Sequence, residues 1–257
     1  MKITYIHHSS FLAELSRFSL LFDYYTGEIP ETDRNKPMVF FSSHRHWDHF
    51  SPDIFRLGEQ RKNVRFVLSN DIEKGRVPDR EGERTIFVTP EQELEISVSG
   101  EKLTVHTFRS TDEGVAFLVD CGEAVLYHAG DLNNWYWNGE DENWNRTIGA
   151  MYRRELKSIR TVLDRWGKEI DAAFLPLDGR QEDKFCLGLD EFVKTVGARW
   201  VFPMHFWDDF SIADRLKAMP ESSSYRERIV SIKRDGESFF PDISGTAGEK
   251  PQKGEDI

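Results

Sequence analysis

The sequence has 257 residues, enough for one large α/β domain or two small ones, and a formal net charge of −11. That charge opposes a phosphate backbone and disfavours nucleic acid as a partner. Cys121 and Cys186 form no CxxC pair, so neither a disulfide framework nor a thiolate zinc site is indicated. Because the N-terminus lacks a signal-like apolar core and no run of about 18 apolar residues occurs, we expect a cytoplasmic protein with no membrane partner.

Short apolar segments of β-strand character follow one another through the first half of the chain. They are KITYI, FLAEL, FSLLF, PMVFF, VRFVL, TIFV, LEISV, KLTVHTF, VAFLVD and AVLYH. Turn residues separate them from Ile3 to about His128, which predicts a half that is rich in β-sheet.

After an acidic loop rich in tryptophan, the apolar spacing becomes that of helices. Apolar residues recur on one face from Thr147 to Trp166, which predicts a long helix. The segments DAAFLPLD and RWVFPMH read as strands around a helix near Leu189 to Val196, and another helix is expected around Ile212 to Ala218. This alternation is typical of α/β layers. We expect one domain over residues 1–243 and a disordered C-terminal tail over 244–257, where Gly, Pro and charged residues dominate.

The segment SSHRHWDHF places three histidines and an aspartate directly after an apolar run. In extended backbone His44 and His46 share a face, and the following turn can bring Asp48 and His49 in from another side. Imidazole and carboxylate groups are ligands of zinc, manganese and iron. With ligands added from distant parts of the chain, the cluster can hold one or two divalent ions, and we expect zinc. A water bound to such ions has a lowered pKa and provides a hydroxide nucleophile. The alternative is a polar loop that happens to be rich in histidine.

SHRHWDHF resembles the HxHxDH signature of the metallo-β-lactamase superfamily. YHAGDLN is similar to the family segment that carries a bridging aspartate, here Asp131, and FPMHF to the segment that carries a last histidine, here His205. HHSSFLAE, YHAGD, DAAFLPLDG and PMHF together look like the branch related to ascorbate-6-phosphate lactonase. The resemblance implies a four-layer αββα sandwich. It assigns His44 and His46 to a first metal, Asp48, His49 and His205 to a second, and Asp131 to both.

One ligand of the family pattern is missing. The family supplies a third histidine to the first metal, and Arg109 or Ser110 falls near the matching place in HTFRSTDEG. A guanidinium cannot bind a cation, so we expect the first site to be weakened, or completed by Asp112 or water. His106, on the preceding strand, is a second substitute.

Several other residues have both a functional and a structural interpretation. His128 can give a proton to a leaving group as a catalytic residue, or orient a ligand through a hydrogen bond. His8 resembles a histidine of an N-terminal turn in the family, and we favour a structural role for it in the first hairpin. Arg180 can bind a substrate carboxylate or phosphate, and Trp207 can wall the same cleft. Aromatic residues of the acidic loop either pack that loop down or line a pocket: Trp135, Tyr136, Trp137 and Trp144.

The resemblance implies a metal-dependent hydrolase that uses metal-bound hydroxide on a small ester, lactone or phosphoester. In this interpretation Asp48 orients the water and the metals polarise the bond that breaks. One alternative is a nuclease of the same superfamily, which would need a basic groove that the sequence does not show. Another is a non-catalytic metal-binding or sensor protein. The expected partner is a small molecule, and the sequence does not indicate an oligomeric state.

Overall fold

The computed structural model describes residues 1–59, 61–243 and 252–253, and within these ranges two β-sheets lie between layers of helices. The strands are β1 (Lys2–His7), β2 (Ser10–Glu14), β3 (Ser19–Phe22), β4 (Met38–Ser42), β5 (Val64–Ser69), β6 (Thr85–Val88), β7 (Glu93–Val98), β8 (Glu101–Arg109), β9 (Val115–Asp120), β10 (Val125–His128), β11 (Ala172–Pro176), β12 (Trp200–Met204), β13 (Ser238–Phe240) and β14 (Gln252–Lys253). The α-helices are α1 (Asp53–Glu59), α2 (Glu142–Trp166), α3 (Leu187–Thr195) and α4 (Ile212–Ala218).

The two sheets each combine antiparallel and parallel strands. The larger has eight strands in the order β14-β13-β1-β2-β3-β4-β5-β6, and the smaller has six in the order β12-β11-β10-β9-β8-β7. Strands β3 to β6 run parallel to one another, and so do β10 to β12. Since parallel strands end at the same edge of their sheet, the loops that follow them gather there.

The apolar run of β4 shows how the layers form. Val39 and Phe41 belong to the core between the sheets, and the ring of Phe41 lies 5.1 Å from that of Phe117 on β9. The alternate residue Phe40 faces the other way and packs with Phe55 of α1. A strand buried on both faces is apolar at every position, which explains the unbroken run MVFF.

The outer face of the smaller sheet is covered by α2 and α3. The ring of Tyr127 on β10 stacks on that of Phe192 in α3 at 4.8 Å, and Tyr152 and Leu156 of α2 join the same core. With α1 on the far side of the larger sheet, the layers run helix, sheet, sheet, helix. The predicted four-layer αββα sandwich is therefore confirmed.

The predicted helices occur with adjusted ends. α2 begins at Glu142 rather than Thr147, because the Asp141 side chain accepts hydrogen bonds from the first turn and caps it. It ends at Trp166 as predicted, where Gly167 adopts a left-handed conformation at φ 64°. α4 has the expected bounds, whereas α1 was not predicted because it is short and follows the polar histidine loop.

The predicted C-terminal tail, 244–257, lies outside the described residues except for Gln252–Lys253, which pair with β13 at the edge of the larger sheet. Within the described part of the chain, no helix has the length and apolar character needed to cross a membrane.

Candidate metal centre

The histidine-rich segment forms a tight loop at the carboxyl end of β4. The backbone amides of His49 and Phe50 both donate to the carbonyl of His46, so the chain turns at once after the buried strand. The side chains of His44, Asp48 and His49 are buried, and that of His46 is half-buried. Four side chains with lone pairs thus lie together at the edge of the larger sheet.

The smaller sheet brings polar side chains to the same place. Asp131, Asp178 and His205 come shortly after β10, β11 and β12, which are neighbouring parallel strands. The turn between β1 and β2 adds His8, whose carbonyl accepts a hydrogen bond from the amide of His205 at 3.2 Å. Because the two sheets face each other, these residues meet the loop after β4.

Seven potential metal ligands form two groups, and the members of each lie within 4.8 Å of one another. One group is His8, Asp48, His49 and His205, and the other is His44, His46 and Asp131. The Asp131 carboxylate lies between them. Its Oδ1 is 3.2 Å from His49 Nε2, and its Oδ2 is 3.5 Å from His44 Nε2. The six residues assigned to metals from the sequence are therefore brought together, and His8 is added to them.

The donor atoms of this cluster fit a bound divalent cation. Three of them, His8 Nε2, His49 Nε2 and Asp131 Oδ1, are buried and make no well-aligned hydrogen bond among the described residues, although His49 Nε2 and Asp131 Oδ1 lie 3.2 Å apart. An unsatisfied buried polar atom costs about 1–3 kcal/mol, so several of them aimed at one place indicate a missing partner. A set of imidazole nitrogens and carboxylate oxygens without thiolates suits zinc, manganese or iron.

The protonation states agree with a cation site. Burial lowers the pKa of His8 and of His44 to about 4, so both rings are neutral near pH 7 and keep a free lone pair. Burial opposes the ionisation of Asp131, but the imidazoles of His49 and His205 outweigh it and hold the pKa of this carboxyl well below its usual range. The centre thus combines neutral nitrogen donors at His8 and His44 with an ionised carboxylate. Burial opposes the charged form of His49, but the Asp131 and Asp23 carboxylates outweigh it and raise its pKa well above the usual range, so a bound cation would displace a proton from this ring.

Two buried carboxylates, neither of them singled out from the sequence, orient the histidines from behind. Asp23, directly after β3, accepts from His49 Nδ1 at 2.7 Å, from the Ser43 amide at 2.7 Å and from Ser43 Oγ at 2.6 Å. Ser43 Oγ also lies 2.9 Å from His44 Nδ1, which can donate to it. Asp23 therefore turns the Nε2 lone pairs of both histidines towards the centre.

Asp178 has the same function for His205. Its Oδ2 accepts from His205 Nδ1 at 3.0 Å, and its two oxygens also bind the guanidinium of Arg180. Asp23 and Asp178 each come within two residues of the end of a buried strand. This position is the only feature of the sequence that could have identified them. Their partners are 26 and 27 positions away in the chain.

The structure corrects the prediction for Arg109. This residue ends β8 with an exposed side chain, and its amide donates to Glu155 of α2 at 3.3 Å, so it does not place a cation beside His44. Arg109 is the last residue of the strand, and it is not among the residues that line the cavity at the centre. The suggested substitute His106 is also remote from the centre, since its ring pairs with Glu93 on β7 at 3.2 Å.

The turn between β8 and β9 supplies acidic side chains in place of the missing histidine. Thr111 and Asp112 line the cavity at the centre, and Glu113 Oε2 lies 3.4 Å from His46 Nε2. Burial and the nearby Asp131 carboxylate raise the pKa of Asp112. Of the substitutes expected from the sequence, Asp112 is the one that reaches the cavity.

His128 does not have the position that its predicted catalytic role requires. It is fully buried between the sheets, where its ring stacks on Phe22 at 5.1 Å. Its Nε2 donates to the carbonyl of Ser9 at 2.8 Å, and its Nδ1 accepts from the amide of Gly130 at 3.1 Å. Both ring nitrogens are occupied, so His128 fixes the turn that presents Asp131 and does not transfer protons to a substrate.

A cavity of about 440 Å³ opens over the metal centre. Arg180 and Trp207, which the sequence suggests as substrate-binding residues, line it together with His46, Asp48, Asp131 and His205. Trp135 anchors the acidic loop through its Nε1, which donates to the carbonyl of Asp131 at 2.8 Å, and its ring lines the cavity as well. Aromatic residues of this loop therefore both pack the loop against the protein and line the cavity.

Known proteins resemble this chain in sequence. The sequence model of the Beta-lactamase superfamily domain matches residues 2–142, more than half of the chain. A UPF0173 metal-dependent hydrolase from Alkaliphilus metalliredigens is 25% identical over 250 residues, covering 89% of this chain and 93% of that protein. Another from Methanosarcina barkeri is 25% identical over 257 residues, covering 91% and 93%.

Solved structures of similar fold include the metallo hydrolase Igni18 from Ignicoccus hospitalis, with a TM-score of 0.64 at 18% identity, covering 92% of this chain and 96% of that one. The metallo-beta-lactamase fold protein YhfI from Bacillus subtilis has a TM-score of 0.57 at 17% identity, covering 92% and 98%. At these identities, the structural similarity establishes the fold.

Proposed function

Because the chain belongs to the β-lactamase superfamily of metal-dependent hydrolases, we propose that it hydrolyses a small ester, lactone or phosphoester. One observation carries the proposal, which is that seven His and Asp donors converge beside an open cavity. The resemblance of its motifs to the branch related to ascorbate-6-phosphate lactonase favours lactones and phosphoesters among these substrates.

The metal-holding residues follow from the two groups of donor atoms. His44 and His46 would hold one ion, and Asp48, His49 and His205 the other, with Asp131 reaching both and His8 joining the second group. Zinc is the preferred ion, with manganese and iron as alternatives, because five of the seven candidate ligands are histidines. When bound, such ions lower the pKa of a coordinated water and polarise the bond to be cleaved.

The remaining chemistry belongs to side chains of the cavity. The Asp48 carboxylate, which is partly open to the cavity, accepts a hydrogen bond from the attacking water and orients it. Arg180 binds a carboxylate or phosphate of the substrate, and Trp207 forms the adjacent wall. His128 takes no part in proton transfer.

The cavity and charge of the protein favour a small-molecule substrate over a nucleic acid. A volume of about 440 Å³ suits a compact ligand, and a net charge of −11 opposes phosphate backbones. Cys121 and Cys186 are free and buried, which supports an assignment to the reducing cytoplasm.

Metal analysis combined with a substrate panel tests the proposal. Protein purified without added metal is analysed for zinc, manganese and iron, and is then assayed on esters, lactones and phosphoesters before and after treatment with a chelator. We expect turnover that the chelator abolishes and the metal restores. Asp131→Asn should lose it, whereas Asp183→Asn, on an exposed side chain outside the cavity, should not. A metal-loaded protein that turns over no member of the panel would favour the non-catalytic metal-binding alternative.

A further inference from the structure

The cavity over the metal centre is lined by an unusual concentration of indole rings. Five of the seven tryptophans in the chain contribute to it: Trp47, Trp135, Trp137, Trp144 and Trp207. Three of these are substantially exposed, Trp47 at 66%, Trp207 at 41% and Trp144 at 39%. Large apolar groups gathered at the rim of a cavity are typical of a surface that binds an apolar ligand.

The exposed rings at this rim are held in place by aromatic neighbours. Trp47 lies between two proposed metal ligands in the sequence, and its ring contacts those of Tyr25 at 5.5 Å and Trp207 at 6.4 Å. Trp207 also packs on the ring of His8 at 4.5 Å. Since both indoles have fixed neighbours next to the donor atoms, they offer a preformed apolar wall beside the reacting bond.

Arg180 adds a fixed positive charge to this wall. Its Nε and Nη2 bind the Asp178 carboxylate, and its guanidinium lies 4.6 Å from the centre of the Trp207 ring. Among the described residues, no hydrogen-bond partner is found for its Nη1. Because the same Asp178 oxygen also binds His205, one carboxylate separates Arg180 from the metal centre. The guanidinium can therefore donate hydrogen bonds to an anion next to the place of reaction.

We propose that this cavity selects substrates in which an aromatic ring carries an anionic group, with the ring against Trp47 and the exposed part of Trp207 and the anion on Arg180. The inference rests on the proposed function and names its substrate class. Aromatic rings also attract cations, but here the guanidinium of Arg180 already covers the Trp207 face. A second cation at that face would meet a like charge, so an anion is the complementary group.

Calorimetric titration of the purified, metal-containing protein with four matched probes tests the preference. The probes are 2-naphthoate, 2-naphthylmethanol, protonated 2-naphthylmethylamine and hexanoate, which separate ring from charge. We expect 2-naphthoate to bind at least tenfold more tightly than each of the other three. Equal affinity for all four, or tightest binding of the ammonium probe, would overturn the proposal.

Variants then assign the two parts of the selectivity. Arg180→Gln should weaken 2-naphthoate about tenfold and leave 2-naphthylmethanol unchanged, since one charge-assisted contact is lost. Trp207→Leu should weaken both naphthyl probes. Arg153→Gln, on an exposed arginine outside the cavity, should alter neither. An Arg180→Gln protein that keeps its circular dichroism spectrum and its full preference for 2-naphthoate would refute the assignment to Arg180.

This experiment is independent of turnover. If 2-naphthoate binds as expected but the protein hydrolyses nothing in the substrate panel, the proposed function fails and the ligand preference stands. If hydrolysis occurs with no preference for aromatic anions, only the substrate class is wrong.

Discussion

Replacing Asp23 by asparagine tests whether the centre depends on the orientation of its histidines. The side chain of Asp23 is fully buried, and its oxygens accept three hydrogen bonds, from the Ser43 amide, Ser43 Oγ and His49 Nδ1. Asparagine has nearly the same shape and can still accept from the amide. Its NH2 group, however, replaces the oxygen that accepts from Ser43 Oγ and His49 Nδ1. The NH2 group is itself a donor, so it would face the N–H and O–H donors of these two residues.

The substitution should change the tautomer of His49. Its Nδ1 would accept from the asparagine amide, and its Nε2 would carry a proton that points at Asp131 Oδ1, 3.2 Å away. An Nε2 that bears a proton cannot bind a metal. We expect metal affinity to fall about 10- to 100-fold, the range seen when such partners of ligands are removed. Loss of one hydrogen bond to a charged group should lower the free energy of unfolding by about 1.5–3 kcal/mol.

Calorimetric titration of the metal-free protein with zinc, together with urea unfolding, measures both effects. Asp164→Asn is the control, because Asp164 is an exposed residue of α2 that pairs with Arg160. If Asp23→Asn binds zinc as tightly as the unmodified protein, the orientation argument is refuted. A loss of affinity in the control as well would show that the change is not specific to Asp23.

Three further outcomes are expected. His8→Phe should weaken zinc binding about tenfold or more, because one of four converging donors is lost. His7→Phe in the same hairpin should leave zinc binding unchanged. Titration with a chromophoric chelator measures both affinities and decides whether His8 is a ligand or has a purely structural role. Gly114→Ala should lower the free energy of unfolding in urea by at least about 1–3 kcal/mol, since a Cβ there would lie 2.0 Å from the Ser43 carbonyl oxygen at φ 68°. Gly100→Ala, also at positive φ but in open space, should cost clearly less, and equal losses would rule out the clash. Labelled duplex DNA and structured RNA should show no change in fluorescence anisotropy with the protein near physiological ionic strength, and tight binding that salt weakens would favour the nuclease alternative.

The sequence predicts the proposed ligands that lie close together in the chain but not the groups that support them. The spacing of His44, His46, Asp48 and His49 indicates ligands by itself, because one turn is enough to gather them. Asp131 was recognised only from a family resemblance, since nothing local distinguishes it. Its position depends on two sheets meeting, which no short segment specifies.

The errors share a physical cause, which is the direction of side chains at strand ends. Arg109 and His128 both end strands, β8 and β10, but the side chain of Arg109 is exposed to solvent, whereas that of His128 lies in the core between the sheets. A position close in sequence to a proposed ligand does not determine the direction in which the side chain points. Asp23 and Asp178 were missed for the converse reason, since each reaches its histidine only after distant strands have packed together.

Crystals of the protein grown with zinc, with diffraction data collected on both sides of the zinc absorption edge, would show where the metal binds. We expect anomalous density within about 2.0–2.2 Å of the Asp131 carboxylate and of Nε2 of His49 and His205. A second, weaker peak is expected beside His44 and His46. Density at neither place, with zinc bound only at other side chains, would contradict the assignment of this centre.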